Sequence, residues 1–318
     1  MATRDLPYLT CDVFTTAPFT GNPLAVVFGA EGLSTATLQA ITREFNYSET
    51  TFVLPAEDPS HTRRVRIFTP EEELPFAGHP TVGTAFALVA RGDVPVPPGA
   101  DAVTVVLGEG VGPVSVRVAC RDGVPVEAQL TTAMLPEERP LRPTRAEWAE
   151  LLSLEVSDIL DGDYAPMAVS CGLPWPMVPL ASVEAVSRAR IRMESWERYL
   201  KGEWAAWPFV FAMTGGVVDP SAPAHVQGVD VRARAFLPGA AVPEDPATGS
   251  ANACLAAYLA ARTPRDGTLR WRVAQGVEMG RAGSLSLEVE KVAGAVTAVR
   301  VGGGTVLVNH GTMRCPVG

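Results

Sequence analysis

The feature that most restricts what this chain can fold into is an internal repeat. Arg64-Val-Arg66-Ile-Phe68-Thr-Pro70 returns as Arg232-Ala-Arg234-Ala-Phe236-Leu-Pro238, an R-x-R-x-F-x-P pattern displaced by 168 residues. Gly78 follows Pro70 by eight residues, and Gly249 follows Pro238 by eleven. Each glycine opens a largely apolar segment, HPTVGTAFALVAR at 79–91 and SANACLAAYLAAR at 250–262. The R-x-R-x-F runs alternate as strands do. The segments behind the glycines are apolar on nearly every helical face, which implies helices enclosed on all sides. Both halves therefore run strand, proline turn, glycine, buried helix. That shared order points to two similar units, each a curved sheet wrapped round one central helix.

The rest of the chain agrees with an α+β mixture in which strands dominate. Residues 8–14, 24–28, 50–54, 64–68, 103–107 and 113–119 read as strands. Ser34 can cap a helix with Leu38, Ile41 and Phe45 at helical spacing, running out near Asn46. The first central helix is expected from about Thr81 to Arg91, closed by Gly92. The polar, proline-rich stretch 136–143 is the linker candidate, which divides the chain into units at 1–135 and 136–318, the last strand near 306–318 returning to the first. Thr144 and Glu147 form a capping box that opens the helix expected over 144–154. Strands are expected at 166–170, 177–180, 208–213 and 230–236. Short helices fall at 182–190 and 194–201, the second central helix at about 250–262, and strands at 270–274, 284–290, 295–301 and 304–309.

Composition excludes several functions. The 318 residues, 47% of them hydrophobic, suffice for about two cored domains. Only Lys201 and Lys291 stand against 24 arginines, and neither follows the glycines of a phosphate loop. A net charge of −9 without a basic run argues against nucleic acid and against anionic membrane surfaces. The five cysteines are scattered and contain no CxxC, so neither a disulfide framework nor a zinc ribbon is expected. The four histidines form no HxH or HExxH, which leaves a metal site without support. No signal peptide or membrane span is evident, so a soluble, cytoplasmic chain is expected.

Three features could carry chemistry. The first is the pair of turns Pro75-Phe-Ala-Gly78-His79 and Glu244-Asp245-Pro-Ala-Thr248-Gly249-Ser250, each feeding a helix N-terminus where unpaired N–H groups suit an anion. Such residues serve equally well as ordinary caps and turn glycines, and a single turn does not decide. The second is Glu49, between a helix end and a strand. It is either a solvated surface glutamate or an acid/base whose pocket brings its pKa towards neutrality. The third is His79, a helix-start polar residue or a neutral donor or acceptor, since the dipole disfavours the imidazolium. No GxSxG or GxGxxG is present.

Asp12-Val-Phe14, Gly21-Asn22-Pro23, Asn46-Tyr47-Ser48-Glu49-Thr50, Phe68-Thr-Pro70, Ala77-Gly78-His79-Pro80-Thr81, Glu244-Asp245-Pro246-Ala247-Thr248-Gly249-Ser250-Ala251 and Gln275-Gly276 with Met279-Gly280-Arg281 together resemble the PhzF family. These are phenazine-biosynthesis-like isomerases with the diaminopimelate-epimerase-like fold, and the resemblance covers nearly the whole chain in order. It implies two pseudo-symmetric units with the active site between them and a cofactor-free enzyme, usually a homodimer. It implies a small carboxylate substrate, which in the phenazine enzyme is trans-2,3-dihydro-3-hydroxyanthranilate. It places catalysis on Glu49, His79 and Asp245, and substrate binding on Asn22, Gly78, Gly249 and Ser250.

A one-base isomerisation follows: Glu49 removes a proton and returns it at another carbon on the same face, moving the double bond. Related epimerases use two cysteines, one before each glycine. Here Ala77 and Thr248 occupy those positions, and Cys254 lies about one turn further into its helix. An amino-acid epimerase on the same fold and a non-catalytic small-molecule binder are the alternatives.

Overall fold

The computed structural model describes residues 3–240 and 242–316. The chain divides into two compact units, one made of residues 1–130 and 302–318, the other of residues 131–301.

In the first unit the strands are β1 (Thr3–Val13), β2 (Asn22–Phe28), β3 (Glu49–Leu54), β4 (Arg63–Phe68), the two-residue β5 (Glu73–Leu74), β6 (Ala102–Glu109), β7 (Gly112–Arg121) and β8 (Val124–Thr131). The helices are α1 (Thr35–Phe45) and α2 (Gly78–Ala90). Antiparallel pairs β1–β2, β3–β4, β6–β7 and β7–β8 alternate with parallel pairs β2–β3 and β4–β6, and β5 folds back on β4. Strand side chains alternate between faces. Phe52 therefore joins Leu38 and Ile41 of α1 on one face, while Thr51 reaches Thr84 of α2 on the other, with hydroxyls 2.9 Å apart. Helix α2 packs against β1, β2, β3, β6 and β7, and every residue from His79 to Val89 is buried.

The second unit contains β9 (Glu137–Pro140), α3 (Arg145–Leu152), β10 (Met167–Ser170), β11 (Pro174–Pro179), α4 (Val183–Arg188), α5 (Met193–Tyr199), β12 (Phe209–Met213), β13 (Val231–Phe236), β14 (Glu244–Asp245), α6 (Gly249–Ala261), β15 (Gly267–Gln275), β16 (Gly283–Val292) and β17 (Ala295–Gly303), whose last residues cross into the first unit. Its pairings repeat those of the first: β10–β11, β12–β13 and β15–β16 antiparallel, β11–β12 and β13–β15 parallel, β14 folded back on β13. Helix α6 is buried along its length, as α2 is. Its C-terminal end is closed from β16 by Lys291, whose Nζ donates to the carbonyls of Ala260 and Thr263 at 3.0 and 2.6 Å. The final strand, β18 (Thr305–Pro316), pairs antiparallel with β1 in the first unit.

The fold is thus α+β, with mostly antiparallel sheets and one enclosed helix per unit. Several local expectations hold. Ser34 caps α1 through the amide of Thr37, Asn46 ends it in the left-handed region, and Thr144 with Glu147 forms a capping box. Other details differ. Helix α2 begins at Gly78 rather than Thr81, because a proline in the first turn removes only an N–H that lacks a helical partner anyway. The linker candidate contains β9, which pairs with β10. Strand β8 lies outside the expected strands, and the division falls after Leu130 rather than after residue 135. Among the described residues no helix is long and apolar enough to cross a membrane.

Candidate active site

In the first unit the alternation of β3 places Glu49 on the same face as Thr51, towards the start of α2. There Glu49 Oε2 lies 3.5 Å from His79 Nε2. Register sets Leu24 of β2 beside Glu49, and Asn22 lies two residues earlier on that strand. Asn22 Nδ2 is 3.2 Å from His79 Nδ1, and its Oδ1 accepts from Ser48 Oγ at 3.2 Å. Asn22, Glu49, Gly78 and His79 are therefore brought together, with Ser48 as a supporting residue that the spacing did not single out.

Burial fixes the charge of the imidazole. His79 is 5% exposed, and desolvation pushes its pKa down to about 3, a hydrogen bond to the Pro23 backbone pulling partly the other way. The ring is neutral at physiological pH, so its contact with Glu49 is not an ion pair. A neutral ring has two tautomers. The Asn22 Nδ2 group can only donate, so its contact makes Nδ1 the acceptor and places the ring proton on Nε2, facing Glu49.

In the second unit the turn is organised by β13 and β14. Arg234 forms a two-pronged pair with Glu244, Nε–Oε1 2.7 Å and NH2–Oε2 2.8 Å. Alternation along β14 then turns Asp245 to the opposite face, that of α6. Asp245 Oδ2 accepts from Thr248 Oγ1 at 2.6 Å. Thr248 occupies the N-cap position but its hydroxyl does not cap the helix, and the corresponding Ala77 has no hydroxyl to offer. Neither helix start is capped by its own N-cap side chain. Ser250 Oγ accepts from the indole of Trp175 at 3.2 Å, which leaves its own proton for another acceptor.

Beneath this turn lies a buried amide network. Gln275, fully buried at the end of β15, donates to Asp245 O at 2.7 Å and to Thr248 Oγ1 at 2.9 Å. Its Oε1 accepts from Thr248 N at 3.2 Å and from Asn252 Nδ2 at 2.8 Å. The sequence sets Gln275 in the Gln275-Gly276 motif but gives no sign that it bonds Asp245, Thr248 and Asn252. The repeat, extended to the Glu-Gly at 109–110 and the Gln-Gly at 275–276, carried the signal.

Thiol chemistry has no foothold at either turn. Cys254 is buried in α6, burial holds its thiol well above the usual range, and its Sγ lies 3.5 Å from the carbonyl of Leu173. Among the described residues no three His, Cys, Asp or Glu side chains are grouped to hold a metal ion.

The comparisons with known proteins agree with this architecture. The family described as phenazine biosynthesis-like protein matches residues 11–311. A protein of Mesorhizobium japonicum named an uncharacterized isomerase is 40% identical, covering 98% of this chain and 99% of its own. The trans-2,3-dihydro-3-hydroxyanthranilate isomerase of Pseudomonas aeruginosa is 35% identical, covering 93% and 95%. The crystal structure of the Bacillus anthracis phenazine biosynthesis protein of the PhzF family matches with a TM-score of 0.83 at 25% identity, covering 98% and 99%.

Proposed function

Because the chain belongs to the phenazine biosynthesis-like family of isomerases, we propose that it moves a proton and a double bond within a small, cyclic amino or carboxylic acid, with Glu49 as the single acid/base. The observation that carries this reading is the contact of Glu49 with a buried, neutral imidazole at 3.5 Å. A lone acid/base must be a carboxylate before the first proton transfer and a carboxylic acid before the second. A neutral ring donates from Nε2 to the carboxylate and adds no buried charge when the carboxyl is protonated. An imidazolium would instead lock Glu49 as a carboxylate and oppose the first transfer.

Asn22 holds the ring in place through Nδ1. On the chemistry of its own turn, Asp245 accepts from a substrate amine or hydroxyl, and its bond from Thr248 keeps it oriented. The Ser250 hydroxyl and the N–H groups at Gly78 and Gly249 suit a carboxylate. Substrate identity is drawn from the relative of known name, so trans-2,3-dihydro-3-hydroxyanthranilate is the first compound to test.

The test is Glu49→Gln, which preserves shape and removes the base. Turnover should fall by about 10²–10⁴-fold with the melting temperature unchanged. In deuterated water the wild-type product should contain less than one deuterium per turnover at the new C–H position, since one residue carries the proton from carbon to carbon. Full activity in Glu49→Gln on a compound the wild type converts would sink the one-base reading. A requirement for Cys254 in a folded variant would revive thiol epimerisation.

A further inference from the structure

The second unit's Gln275 has a counterpart that the catalytic reading leaves unused. Glu109 ends β6 as Gln275 ends β15, and each is followed by a glycine pressed against the proline of the helix-start turn. A Cβ on Gly110 would meet Pro75 Cα at 2.8 Å, and one on Gly276 would meet the Pro246 carbonyl at 2.5 Å. Each side chain reaches the fourth residue of its helix. Gln275 bonds Asn252, and Glu109 Oε1 lies 2.7 Å from Thr81 Oγ1. A glutamine and a protonated glutamic acid have one shape, and each carries both a donor and an acceptor.

The Thr81 hydroxyl decides which form of Glu109 belongs here. Its oxygen also lies 2.7 Å from the Ala77 carbonyl, the usual back-bond of a helical threonine. A hydroxyl has one proton and can donate once. A carbonyl never donates, so both bonds hold together only if Glu109 brings a proton of its own. Its other oxygen, Oε2, is buried and makes no hydrogen bond. That is tolerable for a neutral acid and costly for a carboxylate. Burial accordingly pushes the Glu109 carboxyl up to about 8, the Thr81 hydroxyl pulling partly the other way. The charged groups around it line one cavity of about 580 Å3: Glu57, Asp58 and His61 before β4, Arg64 and Arg66 on β4, and Glu73 on β5. Both arginines are already taken, Arg64 by Glu57 and Arg66 by Glu73.

We propose that Glu109 is a positioning residue: as the neutral acid it donates to Thr81 and leaves that hydroxyl on the Ala77 carbonyl, and on losing its proton it takes the hydroxyl for itself and leaves that carbonyl, at the start of α2, with the Thr81 backbone N–H alone. Ala77 is two residues from His79, so the proton on Glu109 sets the frame that holds the imidazole. That this matters for turnover rests on the reading of Glu49 and His79 as the reactive pair. The experiment below uses no turnover, so failure of one is separable from failure of the other.

The Ala77 carbonyl 13C resonance and the His79 ring 15N resonances are followed from about pH 6 to about pH 9.5 in the wild type, in Glu109→Gln and in Thr81→Val. In the wild type both should shift with one inflection near pH 8, although the ring itself does not titrate there. Glu109→Gln, which imports the second unit's own solution, should fold as the wild type does and show no inflection. Thr81→Val should lose the Ala77 inflection. Wild-type resonances that stay still across this range, or the same inflection persisting in Glu109→Gln, would overturn the proposal. Should Glu109→Gln fail to fold, wild-type melting decides: a Tm that does not fall between about pH 6 and about pH 9 overturns it.

Discussion

The two helix starts share one plan and differ in what fills it. Glu73-Leu74-Pro75-Phe76-Ala77-Gly78-His79 and Glu244-Asp245-Pro246-Ala247-Thr248-Gly249-Ser250 correspond position by position. In both, the second arginine of the R-x-R-x-F strand grips the leading glutamate with two prongs and lies over its own phenylalanine, at 5.1 Å for Arg66 and 4.6 Å for Arg234. The next residue is where the two differ. It is Leu74 in one unit and Asp245 in the other. Around Asp245 the second unit builds a network from the amides of Gln275 and Asn252 and the hydroxyl of Thr248. The first unit keeps Leu74 and Ala77 apolar and concentrates its polar chemistry in Glu49, His79 and Glu109. One frame thus supports a hydrogen-bonding turn in one copy and, on the proposed reading, a proton-handling turn in the other.

The arginine pairs offer the largest effect by which to break this comparison. The Arg234 side chain is 4% exposed, that of Arg66 17%, and Arg234 also donates to the carbonyls of Val186 and Ala189. Arg234→Met strands the half-buried Glu244 carboxylate and two buried carbonyls, and should cost about 3 kcal/mol in urea unfolding. Arg66→Met should cost about 1 kcal/mol. Equal costs would mean that the two frames are not differently buried.

A second change sharpens it. Gln275→Glu should give the second unit the proton dependence of the first. A buried carboxyl with a raised folded pKa contributes stability below its unfolded pKa and loses it as pH rises. The variant should therefore match the wild type near about pH 5 and melt lower near about pH 9, by about 1–3 kcal/mol. A melting curve that follows the wild type at both pH values would show that the amide network does not depend on its donors.

A third change, read as a slope per pH unit, concerns His79. Its pKa in the folded chain is near 3 against an ordinary value of 6.5. Between those values the unfolded chain binds more protons, so stability falls as pH drops through 6.5 towards 3. The slope is at most about 1.4 kcal/mol per pH unit, and His79→Gln should flatten it in acid melting curves. An unchanged acid slope would place the titration elsewhere.

Much of this was legible in the sequence because it is local or repeated. The Ser34 cap, the Thr144–Glu147 box and the enclosed helices follow from short-range pattern, and the repeat gave the order of elements. Strand β9 was not legible: Glu-Glu-Arg-Pro is polar and fully exposed, and only its pairing with β10 makes it a strand. The two-residue strands β5 and β14 are likewise created by their partners. Among site residues, Glu49 and His79 stood out through the motifs around them. Gln275 and Glu109 did not, because each acts on a helix start about 30 residues away in sequence, and neither residue type signals chemistry by itself.

The closure of α6 by Lys291 bears on how the protein can be handled. Of its two lysines, this one is folded away beneath two carbonyls, while Lys201 stands on the surface beside Glu197. A reagent that seeks lysine amines therefore finds a single accessible side chain, far in sequence from both helix-start turns. A dye, a biotin or a resin attached there marks the native chain at one defined lysine, and labelling at Lys291 reports that α6 has come loose.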